Sequence, residues 1–253
     1  MDAAGRRRLE VITASTPTDG NPRMNIESTV EPVAPAGARP RTTSTRTRPT
    51  NPLLMGCGIA AGPLFLAAGV IQGLTREGFD FTRNAISQLS LGDLGWIQVM
   101  NFVVCGMLII AGAVGLRRAL QDGPGTTWAP PLVTVFGASF LVSAVFVADP
   151  GAGFPVGTSD GPTTLSTHGA VHMAGGMIGY LALCAAFIAL ARRFSAQGRR
   201  GWALASRIVP VVVVAGFVGS AASVLLFFTG AALGLVWLSA TIARLATTTS
   251  SRR

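Results

Sequence analysis

Two histidines stand four residues apart at the start of a long apolar segment, and they are the only histidines in the chain. On an α-helix His168 and His172 would lie one turn apart on one face, as two nitrogen ligands of a single metal ion do. Asp149, at the end of the preceding apolar segment, is the natural third ligand, and three further aspartates could replace it: Asp80, Asp93 and Asp160. This spacing predicts a zinc site. The alternative is a pair of interfacial histidines that bond to loop carbonyls and carboxylates.

A second polar group of residues lies at 80–96, where "DFTRNAISQLSLGDLGW" separates two long apolar runs. Asp80 could pair with Arg83 across one helical turn and order the loop. Alternatively, the guanidinium of Arg83 could hold a lipid phosphate or a carboxylate substrate. Further hydrogen-bonding side chains nearby are Asn84, Ser87, Gln88 and Ser90.

If residues 82–90 form a helix, then Arg83, Ser87 and Ser90 share one face. We therefore predict a re-entrant or interfacial helix that covers one mouth of a helix bundle, where polar groups are shielded from lipid. Asp149 either belongs to the same site or only marks the end of an apolar segment before a turn. The candidate ligand-binding residues are Asp80, Arg83, Asn84, Ser87, Gln88 and Asp149.

The elements that position these residues follow from the composition. The chain has 253 residues, of which 49% are hydrophobic and only 12% are charged. All 20 basic residues are arginine, against 11 acidic residues, for a formal net charge of +9. The arginines lie in short clusters between apolar runs and form no stripe with aromatic residues, which argues against a nucleic-acid partner. This pattern is typical of a protein whose partner is the lipid bilayer.

Six apolar runs are long enough to cross a membrane as helices. They predict an all-α, polytopic bundle with spans near residues 53–74, 96–116, 129–148, 168–191, 205–226 and 230–245. We divide the last uncharged stretch at 227–230, because 36 residues without a charge, from Ile208 to Ala243, are too many for one span.

The arginines also predict the orientation. With both termini in the cytoplasm, 18 arginines lie on that side of the cell membrane and only Arg76 and Arg83 lie outside. Residues 1–50, rich in Arg, Thr and Pro, predict a disordered cytoplasmic tail. Residues 51–246 form the predicted membrane domain, and residues 247–253 a short cytoplasmic end.

Cysteine and glycine usage indicates packing rather than chemistry. Cys57, Cys105 and Cys184 fall in three different spans without CxxC spacing and predict small buried hydrophobic side chains. Glycines recur four residues apart, as at Gly58 and Gly62, and predict close helix contacts within the chain, with a homo-oligomer as the alternative. The sequence has no phosphate-binding GK[ST] loop, no HExxH and no GxSxG.

Several of these motifs together resemble a known family. Arg83 followed by "NAISQLSLGDLGW", the "GLRRAL" after the second span, and "DPGAGFPVG" with a downstream "HGAVH" are similar to the bacterial membrane-protein family catalogued as domain of unknown function family 998. The resemblance covers roughly residues 53–245. It implies a helical integral membrane domain and no assigned activity.

Three functions are compatible with the sequence. The first is a non-enzymatic membrane protein whose outer polar cap binds a lipid headgroup, a small ligand or a partner. The second is a zinc-dependent lipid hydrolase, in which His168, His172 and Asp149 hold the metal and its bound water attacks the substrate. That site would loosely resemble the ceramidase-like membrane hydrolases, although it lacks their additional histidine. The third is a small transporter, which the scarcity of charge within the spans disfavours.

Overall fold

The computed structural model describes residues 51–120, 123–161 and 164–250, with side chains to Thr247. These residues form six α-helices: α1 (Pro52–Thr75), α2 (Gly95–Ala119), α3 (Ala129–Val145), α4 (Thr167–Ala196), α5 (Arg200–Gly219) and α6 (Val224–Ser250). A short 3-10 helix, Ile86–Ser90, lies between α1 and α2. The all-α prediction is confirmed for the described residues. The predicted tail, residues 1–50, lies outside them, and α6 continues past the predicted domain end at 246.

The six helices form a closed ring. Each helix packs against its neighbours in sequence, and α6 packs back against α1. Hydrogen bonds from Asn84 to the carbonyl of Gly151 and from Val224 to that of Thr82 bring three of the connections together, so neighbouring helices run antiparallel. The connections α1–α2, α3–α4 and α5–α6 meet at one end of the bundle, which we call the cap end. The arginine-rich connections meet at the other, the arginine end.

Glycine allows the closest of these helix contacts. A Cβ atom on Gly112 of α2 would lie 2.5 Å from the Cα of Gly58 in α1. Similarly, a Cβ on Gly179 of α4 would overlap Ser139 of α3. Small residues at helix interfaces let the backbones approach and pack without a hydrophobic driving force. The predicted use of glycine for packing within one chain is confirmed at these positions.

Five of the six helices are long and apolar enough to cross a membrane, and α3 is shorter, with 17 residues. The prediction extended this span to residue 148, but the helix ends at Val145. The chain beyond it leaves the helix and buries Ala148 and Phe154, which are 9% and 1% exposed. Non-helical backbone is tolerated near the membrane when protein covers it in this way.

The connection between α5 and α6 lies at residues 220–223, so the predicted division at 227–230 was wrong. The hydroxyl of Ser220 donates to the carbonyl of Phe217 at the end of α5. The hydroxyl oxygen of Ser223 accepts from the N–H of Leu225 at the start of α6. Gly230, which suggested a break, instead packs within α6 against Gly216 of α5. A glycine in an apolar run can therefore mark a helix contact as well as a turn.

Candidate functional site: a polar cap above an apolar cavity

Residues 76–94, 146–161 and 164–166 cover one end of the bundle, and we call them the cap. The predicted helix over 82–90 is wrong in extent, because only Ile86–Ser90 is helical and its hydrogen bonds are of the 3-10 type. Residues 81–83 form a turn, and residues 84 and 85 are in neither a helix nor a turn. Arg83 therefore does not share a helix face with Ser87 and Ser90. The Ser90 hydroxyl instead donates to the carbonyl of Ser87 at 2.6 Å.

Asn84 and Gln88 join the two halves of the cap. They are 1% and 7% exposed. The Asn84 amide donates to the carbonyls of Gly151 and Ala152 at 3.4 and 3.2 Å. The Gln88 amide donates to those of Asp149 and Gly151, both at 3.3 Å. Asn84 and Gln88, both predicted ligand residues, therefore donate from their side-chain amides to backbone carbonyls. These hydrogen bonds hold residues 149–152 against the 3-10 helix.

Arg83 lies at the rim of the cap with half of its side chain exposed. Its Nε is 3.6 Å from Oδ2 of Asp80, and its Nη1 is 3.5 Å from Oδ1 of Asp160. Hydrogen bonds from the hydroxyl and N–H of Thr82 lower the pKa of Asp80, with a smaller contribution from Arg83. This arginine therefore pairs with two carboxylates at the rim.

Arg76 is a cap residue that the sequence analysis placed on this side but did not include among the candidate site residues. Its Nη1 donates to the carbonyl of Leu89 at 2.6 Å and its Nη2 to that of Leu91 at 2.7 Å. The guanidinium also lies over the ring of Phe154, 5.0 Å from its centroid. Partial burial lowers the pKa of Arg76, and Asp93 opposes this shift. An arginine placed directly after an apolar span at the arginine-poor end was the signal that could have identified it.

Asp149 binds Ser166, the N-cap residue of α4. Its Oδ1 accepts from the Ser166 hydroxyl at 2.5 Å and its Oδ2 from the Ser166 N–H at 2.8 Å. These two hydrogen bonds are the main reason that the pKa of Asp149 lies below its ordinary value. The carboxylate packs directly on Gly169, where a Cβ would overlap it. A negative charge is stabilised at this position because a helix N-terminus carries a partial positive charge.

The two histidines have different environments. His172 is 6% exposed, and its Nδ1 lies 2.7 Å from the carbonyl oxygen of Phe146. His168 is exposed, with its ring 5.3 Å from that of Phe146. Within the described ranges, no three His, Cys, Asp or Glu side chains form a group that could hold a metal ion. The zinc site therefore stays a prediction without support from this arrangement.

A buried amide network between α1 and α2 is a second feature that the sequence analysis missed. Gln98 accepts at Oε1 from the amides of Gln72 and Asn101, at 2.9 and 3.2 Å. Those amides also donate to the carbonyls of Ala68 and Phe65, which fixes their orientation. Cys105, buried and free, donates to Oδ1 of Asn101 at 3.3 Å. The sequence signal was three amide residues inside apolar runs, with Gln98 and Asn101 three apart on one helix face.

An apolar cavity of about 270 Å³ lies beneath the cap, inside the ring of helices. Ala85, Ile86 and Ser87 of the cap form part of its wall. Most of the remaining wall is apolar and comes from all the helices, with polar exceptions at Ser139, Ser143, His172, Tyr180 and Ser220. Ser87 is the one predicted ligand residue of the cap that reaches this space.

The start of α6 holds the cap over the cavity. The N–H of Val224 donates to the carbonyl of Thr82 at 3.1 Å, and the Ser223 hydroxyl contacts the same oxygen at 3.4 Å. The rings of Phe81 and Phe228 are 5.7 Å apart on the same side. The cap is therefore fastened to α6 as well as to residues 149–152.

Apolar helices of membrane-spanning length, with their polar loops folded over one end, define a helical integral membrane protein whose environment is a lipid bilayer. Within this class, the chain belongs to the family described as protein of unknown function (DUF998), whose model matches residues 59–248. The family predicted from the motifs is thereby confirmed. No curated protein and no solved structure matches the chain.

Proposed function

We propose that the chain is a non-catalytic membrane protein that takes an amphipathic molecule from the bilayer into the cavity beneath its cap. The observation that carries this proposal is the cavity itself, which combines an apolar wall with a small number of polar groups. Such a combination is typical of small-molecule binding sites. The apolar part of the ligand would lie among the helices, and its polar part would face His172 and the serines.

The size of the cavity supports a ligand larger than a solvent molecule. Its volume is about 270 Å³. An engineered apolar cavity of about 150 Å³ binds benzene. Transfer of apolar surface from water into such a space contributes roughly 25 cal/mol per Å². A ligand that comes from the bilayer gains less, because lipid is itself apolar, so the polar wall groups must provide the selectivity.

In this proposal the cap is a lid over the cavity. Asn84, Gln88, Asp149 and Arg83 bind other parts of the cap, as described above. A side chain that already satisfies a buried carbonyl cannot turn to a ligand without leaving that carbonyl unpaired, at a cost of about 1–3 kcal/mol. We therefore assign ligand binding to the cavity and positioning to the cap.

The orientation predicted from the sequence forms part of the proposal. Among the described residues, the cap end has two arginines, Arg76 and Arg83, whereas the arginine end has eight: Arg117, Arg118, Arg192, Arg193, Arg199, Arg200, Arg207 and Arg244. Lysine and arginine remain preferentially on the cytoplasmic side of membrane proteins. The cap and the cavity would then face the outer leaflet of the cell membrane.

Binding can be tested with four compounds that share a dodecyl chain: 1-dodecanol, dodecanoate, dodecyltrimethylammonium and dodecane. Radiolabelled compound is titrated into full-length protein in nanodiscs, and binding to empty nanodiscs is subtracted. Gly176→Phe should abolish saturable binding, because Gly176 lines the cavity and an added Cβ there meets nothing within 4 Å. Gly56→Phe is the matched control, since Gly56 is equally open but lies outside the cavity. Saturable binding of none of the four, or equal binding by both variants, would contradict the proposal.

The zinc hydrolase stays the second hypothesis, favoured by one observation. Asp149 lies near enough to both histidines to interact electrostatically with each. Elemental analysis of the purified protein, beside a His168→Ala and His172→Ala double variant, tests it. Stoichiometric zinc in the parent alone would favour the hydrolase, and its absence from the parent would remove this hypothesis.

A further inference from the structure

The cavity has polar groups but no formal charge of its own. Among the described residues that line it, none is arginine, aspartate or glutamate. The charged groups of the cap that lie closest in sequence, Asp80 and Arg83, pair with each other at the rim. A charged headgroup inside the cavity would therefore lose its hydration without gaining a counter-charge, which is strongly unfavourable.

The hydrogen bonds of the wall indicate which polar group fits instead. A carbonyl oxygen can only accept, so the Nδ1 of His172 carries the proton that binds the carbonyl of Phe146. The backbone carbonyl of Ser143 is a second partner of this ring. A neutral imidazole has one N–H, which the 2.7 Å contact with Phe146 assigns to Nδ1, so the Nε2 can only accept. Ser139 also lines the cavity, and because its hydroxyl donates to the carbonyl of Phe136 at 2.7 Å, its oxygen has only acceptor capacity left.

Ser143 can supply a hydrogen-bond donor to the cavity. It is 5% exposed, lines the same cavity, and its hydroxyl forms no hydrogen bond to any described residue. It stands on α3, one turn before Phe146, the residue whose carbonyl holds His172. A hydroxyl that lines a cavity without a hydrogen-bond partner in the protein can donate to a group bound there.

We infer that the ligand of this cavity is a neutral lipid alcohol, whose hydroxyl donates to Nε2 of His172 and accepts from Ser143 while its apolar chain lies along the aromatic wall. This inference rests on the proposed function and specifies its ligand class. A hydroxyl is the smallest group that both donates and accepts, and it carries no charge. The wall against which its chain would pack includes Phe65, Phe102 and Phe140, which contact one another.

The four dodecyl compounds test this inference through their ranking. Unlabelled dodecanoate, dodecyltrimethylammonium and dodecane should each compete with labelled 1-dodecanol at least about tenfold more weakly than unlabelled 1-dodecanol does. His172→Phe should reduce the preference for dodecanol over dodecane to about twofold or less. His168→Phe, on the exposed face of the same helix, should keep the parent preference.

The outcomes separate this inference from the proposed function. Saturable binding in which dodecane or either ion equals or exceeds dodecanol would overturn the inference and leave the proposed function intact. Unchanged preference in His172→Phe would remove His172 from recognition. If His172→Phe does not fold, the ranking by the parent protein and by Ser143→Ala decides the question. Ser143→Ala should lower the affinity for dodecanol and leave that for dodecane unchanged.

Discussion

Arg76 and Arg83 are the two arginines at the cap end of the described chain, and they differ in what they bind. Arg76 donates to two backbone carbonyls of the cap and covers the ring of Phe154. Arg83 forms longer contacts to two exposed carboxylates. A planar guanidinium can satisfy two acceptors at once, which an ammonium group on a flexible stem does less well. Hydrogen bonds of charged groups contribute more than exposed ion pairs.

Arg76→Lys should therefore destabilise the protein by about 2 kcal/mol, because one carbonyl loses its charged donor. For a chain of this size the melting temperature should fall by roughly 4–8 °C. Thermal unfolding of the purified protein in detergent measures the change. Arg83→Lys is the matched control and should destabilise the protein by less than about 1 kcal/mol. Equal losses in the two variants would show that Arg76 has no special role in the cap.

Asp149 should make the stability of the folded protein fall at low pH. Its pKa in the folded state lies below its ordinary value because Ser166 bonds to the carboxylate. Its stabilising contribution is therefore present above the unfolded pKa and is lost as the pH falls through the folded pKa. The parent melting temperature should decline below about pH 4.

Asp149→Asn tests this assignment, because an amide keeps the shape of the carboxylate and does not titrate in this range. The variant should melt lower than the parent at pH 7 and lose less on acidification. Asp160→Asn, at an exposed position of the same cap, should follow the parent curve. A variant at Asp149 that declined as steeply as the parent would assign the acid sensitivity to another group.

At the scale of the helices, the contact between α1 and α2 depends on the absence of side chains. Gly112→Ala should destabilise the bundle by about 1–3 kcal/mol, as overpacking does, because the new Cβ would lie against the backbone of Gly58. Gly56→Ala, where a Cβ meets nothing within 4 Å, should be neutral or stabilising, since alanine is the better helix former. Melting temperatures of the two variants provide the measurement. A neutral Gly112→Ala would mean that the helices can separate without cost.

Hydropathy predicted the helices better than their ends. The first four predicted spans begin within one residue of α1 to α4, because apolar runs and the preceding polar residues are local properties. The α5–α6 connection was misplaced because Gly230 serves a contact with Gly216, which lies on a different helix. The sequence predicted a longer helix than the short 3-10 helix at Ile86–Ser90. Side-chain spacing does not show that residues far away in the sequence hold this part of the backbone in another conformation.

The candidate site was predictable only in its location. The sequence identified Asn84, Gln88 and Asp149 as polar residues near one membrane boundary, and the structure places them together in the cap. Their partners are mostly backbone groups of other loops, and backbone groups leave no signal in side-chain patterns. The cavity was not predicted, since it depends on how six helices diverge beneath the cap.

At the scale of the whole molecule, the unequal distribution of arginine allows a direct test of orientation. In a variant without Cys57, Cys105 and Cys184, a cysteine introduced by Ser159→Cys should react with an impermeant maleimide on intact cells. A cysteine introduced by Gln197→Cys, at the arginine end, should react only after permeabilisation. Both positions are exposed on the bundle, so accessibility through the protein does not limit either. The reverse pattern would place the cap in the cytoplasm.

The cap has one property that bears on how its sequence can vary. Asn84 and Gln88 bind carbonyl oxygens of residues 149–152, and every amino acid has such an oxygen. The fastening thus depends on the path of the main chain through residues 149–152 and little on which side chains that path carries. Apart from Asp149, whose carboxylate binds Ser166, residues 149–152 should tolerate point substitutions wherever the new residue accepts the local dihedral angles. The insertion or deletion of one residue there would move every acceptor out of register, so this surface can diversify in chemistry while its length stays fixed.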